Sequence, residues 1–99
     1  MLDNIKLLLG LADDSKDELL EALITYAVED AILISRNKNI REENEGIIVR
    51  MVIYNYNRLG SEGLTSETYS GVSYNYANNY PEDILYMLRS RGKLRVLHY

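Results

Sequence analysis

Few residues in this sequence could carry chemistry, and their spacing narrows the options quickly. His98 is the single histidine, next to last in a chain of 99 residues that has no cysteine. So placed, it offers neither a Ser-His-Asp relay nor the several imidazoles of a zinc site, and it reads as a tail residue. The acidic run DDSKDE at 13–18 lacks the Asp-x-Asp-x-Asp-Gly order and the twelfth-position Glu of a calcium-binding EF-hand loop. Gly60, Gly63 and Gly71 are not followed by Gly-Lys-Ser/Thr, so they read as turn formers rather than a phosphate cradle. Tyr69, Tyr74, Tyr76 and Tyr80 have faces on which unpaired bases could stack. Such platforms work beside a basic groove, yet 59–80 contains Glu62 and Glu67 and no Lys or Arg. No catalytic residue, metal site or cofactor is expected, and no enzyme.

Composition points instead to a small binding or structural module. The length allows one domain, 1–99. Apolar residues make up 46% of the chain, but Phe and Trp are absent, so the core must come mainly from Leu, Ile, Val, Ala and Met. Tyrosine, with nine copies, is the only aromatic, and its polar tip on an apolar ring suits surfaces that become buried against partners. A net charge of −4 argues against a chain that grips nucleic acid with its whole surface. Charge is uneven: Asp13, Asp14, Asp17, Glu18 and Glu21 cluster near the start, whereas Arg89, Arg91, Lys93 and Arg95 fill the end. Acidic head and basic tail could meet between copies, although solvated surface charge explains each residue singly. No leader-like start and no apolar run of membrane-spanning length is evident, so a soluble protein kept in the cytoplasm is expected, with no membrane partner.

The elements that must position these residues are mostly helical. Ile5, Leu8 and Leu9 predict a short first helix capped by Asp3 or Asn4 and stopped by Gly10. Ser15 and Glu18 have capping-box spacing ahead of a stripe of Leu20, Leu23, Ile24, Ala27, Val28, Ala31 and Ile32, which predicts a long second helix. The run NKN at 37–39 is a loop signal, after which a helix restarts over 41–45. Ile47, Ile48, Met51, Val52, Asn55 and Leu59 place a largely apolar helix at the centre of the bundle. Two period-2 runs flank Ser70-Gly71, a pattern that predicts a β-hairpin. An isolated hairpin is marginal in water, so something outside the monomer should order it unless it packs on its own helices. Pro81, in the first turn of a last helix, leads Ile84, Leu85 and Leu88 on its apolar face before Gly92, and an extended tail follows. The expected architecture is therefore mainly α: a small bundle of about four helices with a projecting hairpin or loop at 60–80 and an extended C-terminal tail.

The order of these elements carries a resemblance. IKLLLGL with DDSKDELLEALI, then YNRLGSEGLTSETYSGVSYNY running into YPEDILYMLRSRGKLR, is similar to the head–tail connector (adaptor) proteins of tailed bacteriophages and prophages, a family also described as phage DNA-packaging proteins. The most specific part is GSEGLTSETYSGVSYNY followed by YPEDIL. The resemblance implies a structural protein of the virion that assembles as a ring beneath the portal after DNA packaging. Such a ring continues the DNA channel and offers a docking surface for stopper or tail proteins, with no catalysis. It implies that Leu64, Thr65, Glu67, Tyr69, Val72, Tyr74 and Tyr76 touch neighbouring subunits, the hairpin being buried only in the ring. It further implies that the C-terminal segment, with Arg89, Arg91, Lys93, Arg95, Leu97 and Tyr99, binds the portal. Implied partners are other copies of the chain, the portal and a stopper or tail-completion protein, while DNA passes through without specific binding. Location follows: host cytoplasm during assembly, then the head–tail junction.

Two other readings stay open on the sequence. A small DNA-packaging accessory or regulatory protein could bind DNA or a terminase through the basic C-terminal segment. Alternatively, a stable monomer could fold its tyrosine-rich loop onto itself. A free monomer is compatible with the connector reading, because a portal can act as template for the ring.

Overall fold

The structure is a computed structural model that describes residues 1–59 and 80–91. The expected hairpin within 60–79 and the expected tail over 92–99 lie outside the described residues. Among the described residues there are five helices and no strand: α1 (Leu2–Leu9), α2 (Asp17–Ser35), α3 (Ile40–Glu43), α4 (Glu45–Leu59) and α5 (Glu82–Arg91). The helical bundle expected from the periodicities is present. α2 and α4 form its central pair, α5 packs on both, and α1 and α3 each also touch both.

The core has the expected composition. Ile5, Leu20, Leu23, Ile40, Ile47, Ile48, Met51, Val52 and Leu88 are fully enclosed, each contributing roughly 1.5–3 kcal/mol of transfer free energy. On α4, the predicted face of Ile47, Ile48, Met51, Val52 and Asn55 is buried as a unit. On α2, Leu20, Leu23, Ile24, Ala27 and Ala31 are buried, while Val28 and Ile32 are only half-buried at the margin of the core. Ile84, Leu85 and Leu88 bury the predicted face of α5.

Several local expectations are corrected. α1 begins at Leu2, not after Asp3 or Asn4, and its Leu8 is exposed while Ile5 faces the core. Its end is as expected. Gly10, at φ 75°, sends its N–H to the Leu7 carbonyl, and the Leu11 N–H returns 2.9 Å to the Lys6 carbonyl. This pair of bonds is a Schellman stop, and its left-handed residue is the kind of position glycine fills without strain.

The capping box at Ser15 does not form. Helix α2 starts two residues later, with Lys16 at its cap and no side-chain cap bond. Asp13 explains why: its carboxylate accepts the Ser15 hydroxyl at 2.8 Å and the Ser15 N–H at 3.1 Å, folding the segment into an Asx turn. A charged acceptor two residues away outcompetes the reciprocal cap. Those bonds hold the Asp13 carboxyl below the usual carboxylate range.

The helix expected to restart over 41–45 is instead a single turn, α3, cut off from α4 at Asn44, where φ is −150° and ψ 72°. Asn tolerates such a break because its side chain competes with helical bonding. The NKN loop ahead of α3 is tied down by its first residue. Asn37 accepts the Asn39 N–H at 3.0 Å and donates to Glu43 Oε1 at 2.9 Å. Pro81 stands just before α5 rather than inside its first turn, and its carbonyl accepts the Leu85 N–H at 3.0 Å.

α2 is capped at its C-terminus by Arg36, the only non-glycine residue with positive φ among the described residues, at 58°. An L side chain in the left-handed region carries roughly 1–2 kcal/mol of strain. Arg36→Gly relieves that strain while adding entropy to the unfolded chain, so it should raise stability by up to about 1 kcal/mol in urea unfolding. A loss of stability would mean that the Arg36 side chain contributes more than its backbone costs.

Candidate functional site

Two polar clusters hold the helices in place, one at the surface and one inside. At the surface, Lys6 of α1 reaches across to Asp14 at 2.7 Å and to Asp17, in the first turn of α2, at 2.9 Å. Hydrogen bonds to both carboxylates raise the Lys6 pKa and keep it protonated. The acidic cluster read as a free head is therefore partly neutralised by its own chain. Asp14 is almost fully exposed, so the clasp orients α1 more than it stabilises it.

Inside, three polar side chains from three parts of the chain meet. Asp30 on α2, Asn55 on α4 and Tyr80, just ahead of α5, are 2%, 1% and 5% exposed. The Tyr80 hydroxyl donates to Asp30 Oδ2 at 2.8 Å and accepts from Asn55 Nδ2 at 3.0 Å. Arg58 extends the chain outward, donating from Nη2 to Asn55 Oδ1 at 3.1 Å. The Tyr54 ring packs tilted against Tyr80, centroids 5.9 Å apart, and the Arg58 guanidinium lies 5.5 Å from the Tyr54 centroid. Burial pushes the Asp30 carboxyl up to about 7, Tyr80's hydrogen bond pulls the other way, and the negative charge of Glu29 adds to the rise.

Sequence reasoning missed most of this chain. Asn55 sits on the predicted buried face of α4, but Tyr80 was grouped with the loop tyrosines and Asp30 was not singled out. Signals existed for both. Asp30 is three residues after Ala27 and seven after Leu23, on the apolar stripe of α2, and Tyr80 stands where a residue can staple onto the helix that follows Pro81.

Of the residues expected to bind partners, Leu64, Thr65, Glu67, Tyr69, Val72, Tyr74 and Tyr76 lie outside the described residues, as do Lys93, Arg95, Leu97 and Tyr99. Arg89 is exposed on α5, and Arg91 is its last residue. Tyr86, 71% exposed and one turn before Arg89, adds an aromatic to that side of the helix. No group of three or more His, Asp or Glu side chains converges as metal ligands among the described residues, and no described helix is long and apolar enough to cross a membrane.

The hydroxyl of Tyr80 can be tested alone. Tyr80→Phe keeps the ring but leaves Asp30 and Asn55 each short of a buried partner, which should cost about 1–3 kcal/mol in urea unfolding. A change within experimental error would show that the hydroxyl bonds are replaceable.

In comparison with known families, residues 1–91 fit the family described as Phage gp6-like head-tail connector protein. Comparison with curated proteins and with solved structures gave no match. The region matched runs from the first residue of the chain through the last residue of α5 and so includes every described helix. By that match the chain belongs to the phage gp6-like head–tail connector family, whose role in the phage is structural rather than enzymatic.

Proposed function

We propose that this chain is a connector subunit that assembles as a ring beneath the portal once DNA is packaged, continues the DNA channel and gives stopper or tail proteins their docking surface. The observation that carries this reading is the family match over residues 1–91. In this reading Leu64, Thr65, Glu67, Tyr69, Val72, Tyr74 and Tyr76 contact the neighbouring subunit. Arg89, Arg91, Lys93, Arg95, Leu97 and Tyr99 engage the portal, with Tyr86 beside Arg89 as an added anchor. Tyrosine and arginine are the residue types enriched where protein interfaces bury surface. The net charge of −4 agrees with a channel through which DNA slides, since a basic lumen would hold phosphates. The subunit is made in the host cytoplasm and ends in the virion at the head–tail junction.

The test mixes purified chain with portal complexes and follows co-sedimentation and negative-stain images. Full-length protein should bind and form a ring. A Tyr69→Ala, Tyr74→Ala, Tyr76→Ala variant should bind the portal without closing one, and deletion of 92–99 should abolish docking. None of these forms should retain duplex DNA at about 0.15 M salt, where non-specific contacts are weak. DNA retention that depends on the basic segment, without portal docking, would contradict the connector reading and favour a packaging accessory.

A further inference from the structure

Helices α1 to α4 follow one another through short connections, but α5 returns to the bundle only after residues 60–79. Its seat is apolar, made by Ile84, Leu85 and Leu88, and at its entrance stands the buried Tyr80. That phenol links the start of α5 to both central helices, through Asp30 on α2 and Asn55 on α4. We propose that the Asp30–Tyr80–Asn55 chain is a protonation-controlled latch on α5: a proton on Asp30 keeps α5 seated on α2 and α4, and loss of that proton lets α5 lift away.

The groups around Asp30 explain the direction. On α2, Glu29 beside it is exposed and acidic, so it opposes a second negative charge. Tyr26, one turn earlier on the same helix, is half-buried. From α4 come the neutral amide of Asn55 and the Tyr54 ring, and Arg58 donates to Asn55 Oδ1. From α5, Glu82 and Asp83 are exposed, and among the described residues the group bonded to the carboxylate is the Tyr80 hydroxyl. An ionised Asp30 is thus enclosed with one neutral donor and with no cation paired to it among the described residues. Charge buried in that way drives either protonation or opening to water.

Seated, the carboxyl holds its proton up to about pH 7, against an ordinary value of 3.8. The closed form therefore binds the proton more tightly than the open form, in which Asp30 meets water. Below the ordinary value both forms are protonated and the latch is fully closed. Between the two values the open form ionises alone, so opening gains up to about tenfold for each pH unit. Above about pH 8 both forms are ionised and the gain levels off. This inference concerns the monomer and stands whether or not the connector reading holds. If both hold, the helix that lifts is the one carrying Tyr86, Arg89 and Arg91.

Amide hydrogen exchange on the full-length chain tests the latch, comparing α5 with the centre of α2 at about pH 5, 6, 7 and 8 after correction for intrinsic rates. Protection in α5 should fall roughly tenfold per unit between about pH 5 and 7 while α2 holds. Asp30→Asn keeps an acceptor for Tyr80 without the charge and should flatten the profile. Should that variant fail to fold, Tyr80→Phe serves, because removing the bond that favours the charged form should move the midpoint upward. A flat wild-type profile, a slope that survives Asp30→Asn, or a midpoint unmoved by Tyr80→Phe would overturn the proposal. So would a parallel fall in α2 and α5, which would mean global unfolding rather than release of one helix.

Discussion

A carboxylate buried in the bundle, bonded among the described residues to one phenol, constrains everything near it. Asp30 can be tolerated between α2 and α4 only while Tyr80 stays in place, and Tyr80 stays in place only while α5 packs beside it. Asn55 completes the arrangement by donating to the same hydroxyl from α4. Purely apolar packing would accept many small shifts of a short helix, whereas a hydrogen-bond chain through three parts of the fold accepts one register. The polar chain therefore selects the seat of α5, and the aliphatic contacts of Ile84, Leu85 and Leu88 supply most of the attraction.

Much of this bundle was legible before any coordinates. The apolar spacing of α2 and α4 set their faces, and Gly10 marked the end of α1, because burial and the left-handed stop leave strong local patterns. Features decided by competition between neighbours were less legible. Ser15 and Glu18 have the spacing of a capping box, yet Asp13 takes the serine and Lys6 fixes Asp14 and Asp17, and neither partner is predictable from the local pattern. The break at Asn44 likewise divides a stretch expected to restart as one helix.

The buried polar chain was the hardest to foresee, for a physical reason. A single Asp on an apolar stripe has no local signature that separates an enclosed residue from one at the margin. Its partner, Tyr80, lies 50 residues away along the chain. Tyrosine misleads in the same way, since its ring suits a core and its hydroxyl suits a surface. The nine tyrosines favour a binding role collectively, but Tyr80 is an internal strut, while Tyr86 is exposed on α5. The family match then supplies what composition could not: a structural role in the phage particle, for which a small bundle with exposed Tyr86 and Arg89 on α5 is a fitting unit.

The seat of α5 depends on the enclosure of Asp30, and the most direct measurement is the titration of its side-chain carboxyl carbon by NMR in the full-length protein. A midpoint close to 7 is the predicted result, since burial outweighs the single bond from Tyr80. A midpoint near the ordinary value of 3.8 would show that water or a cation reaches Asp30, and the polar chain would lose its place at the centre of the fold.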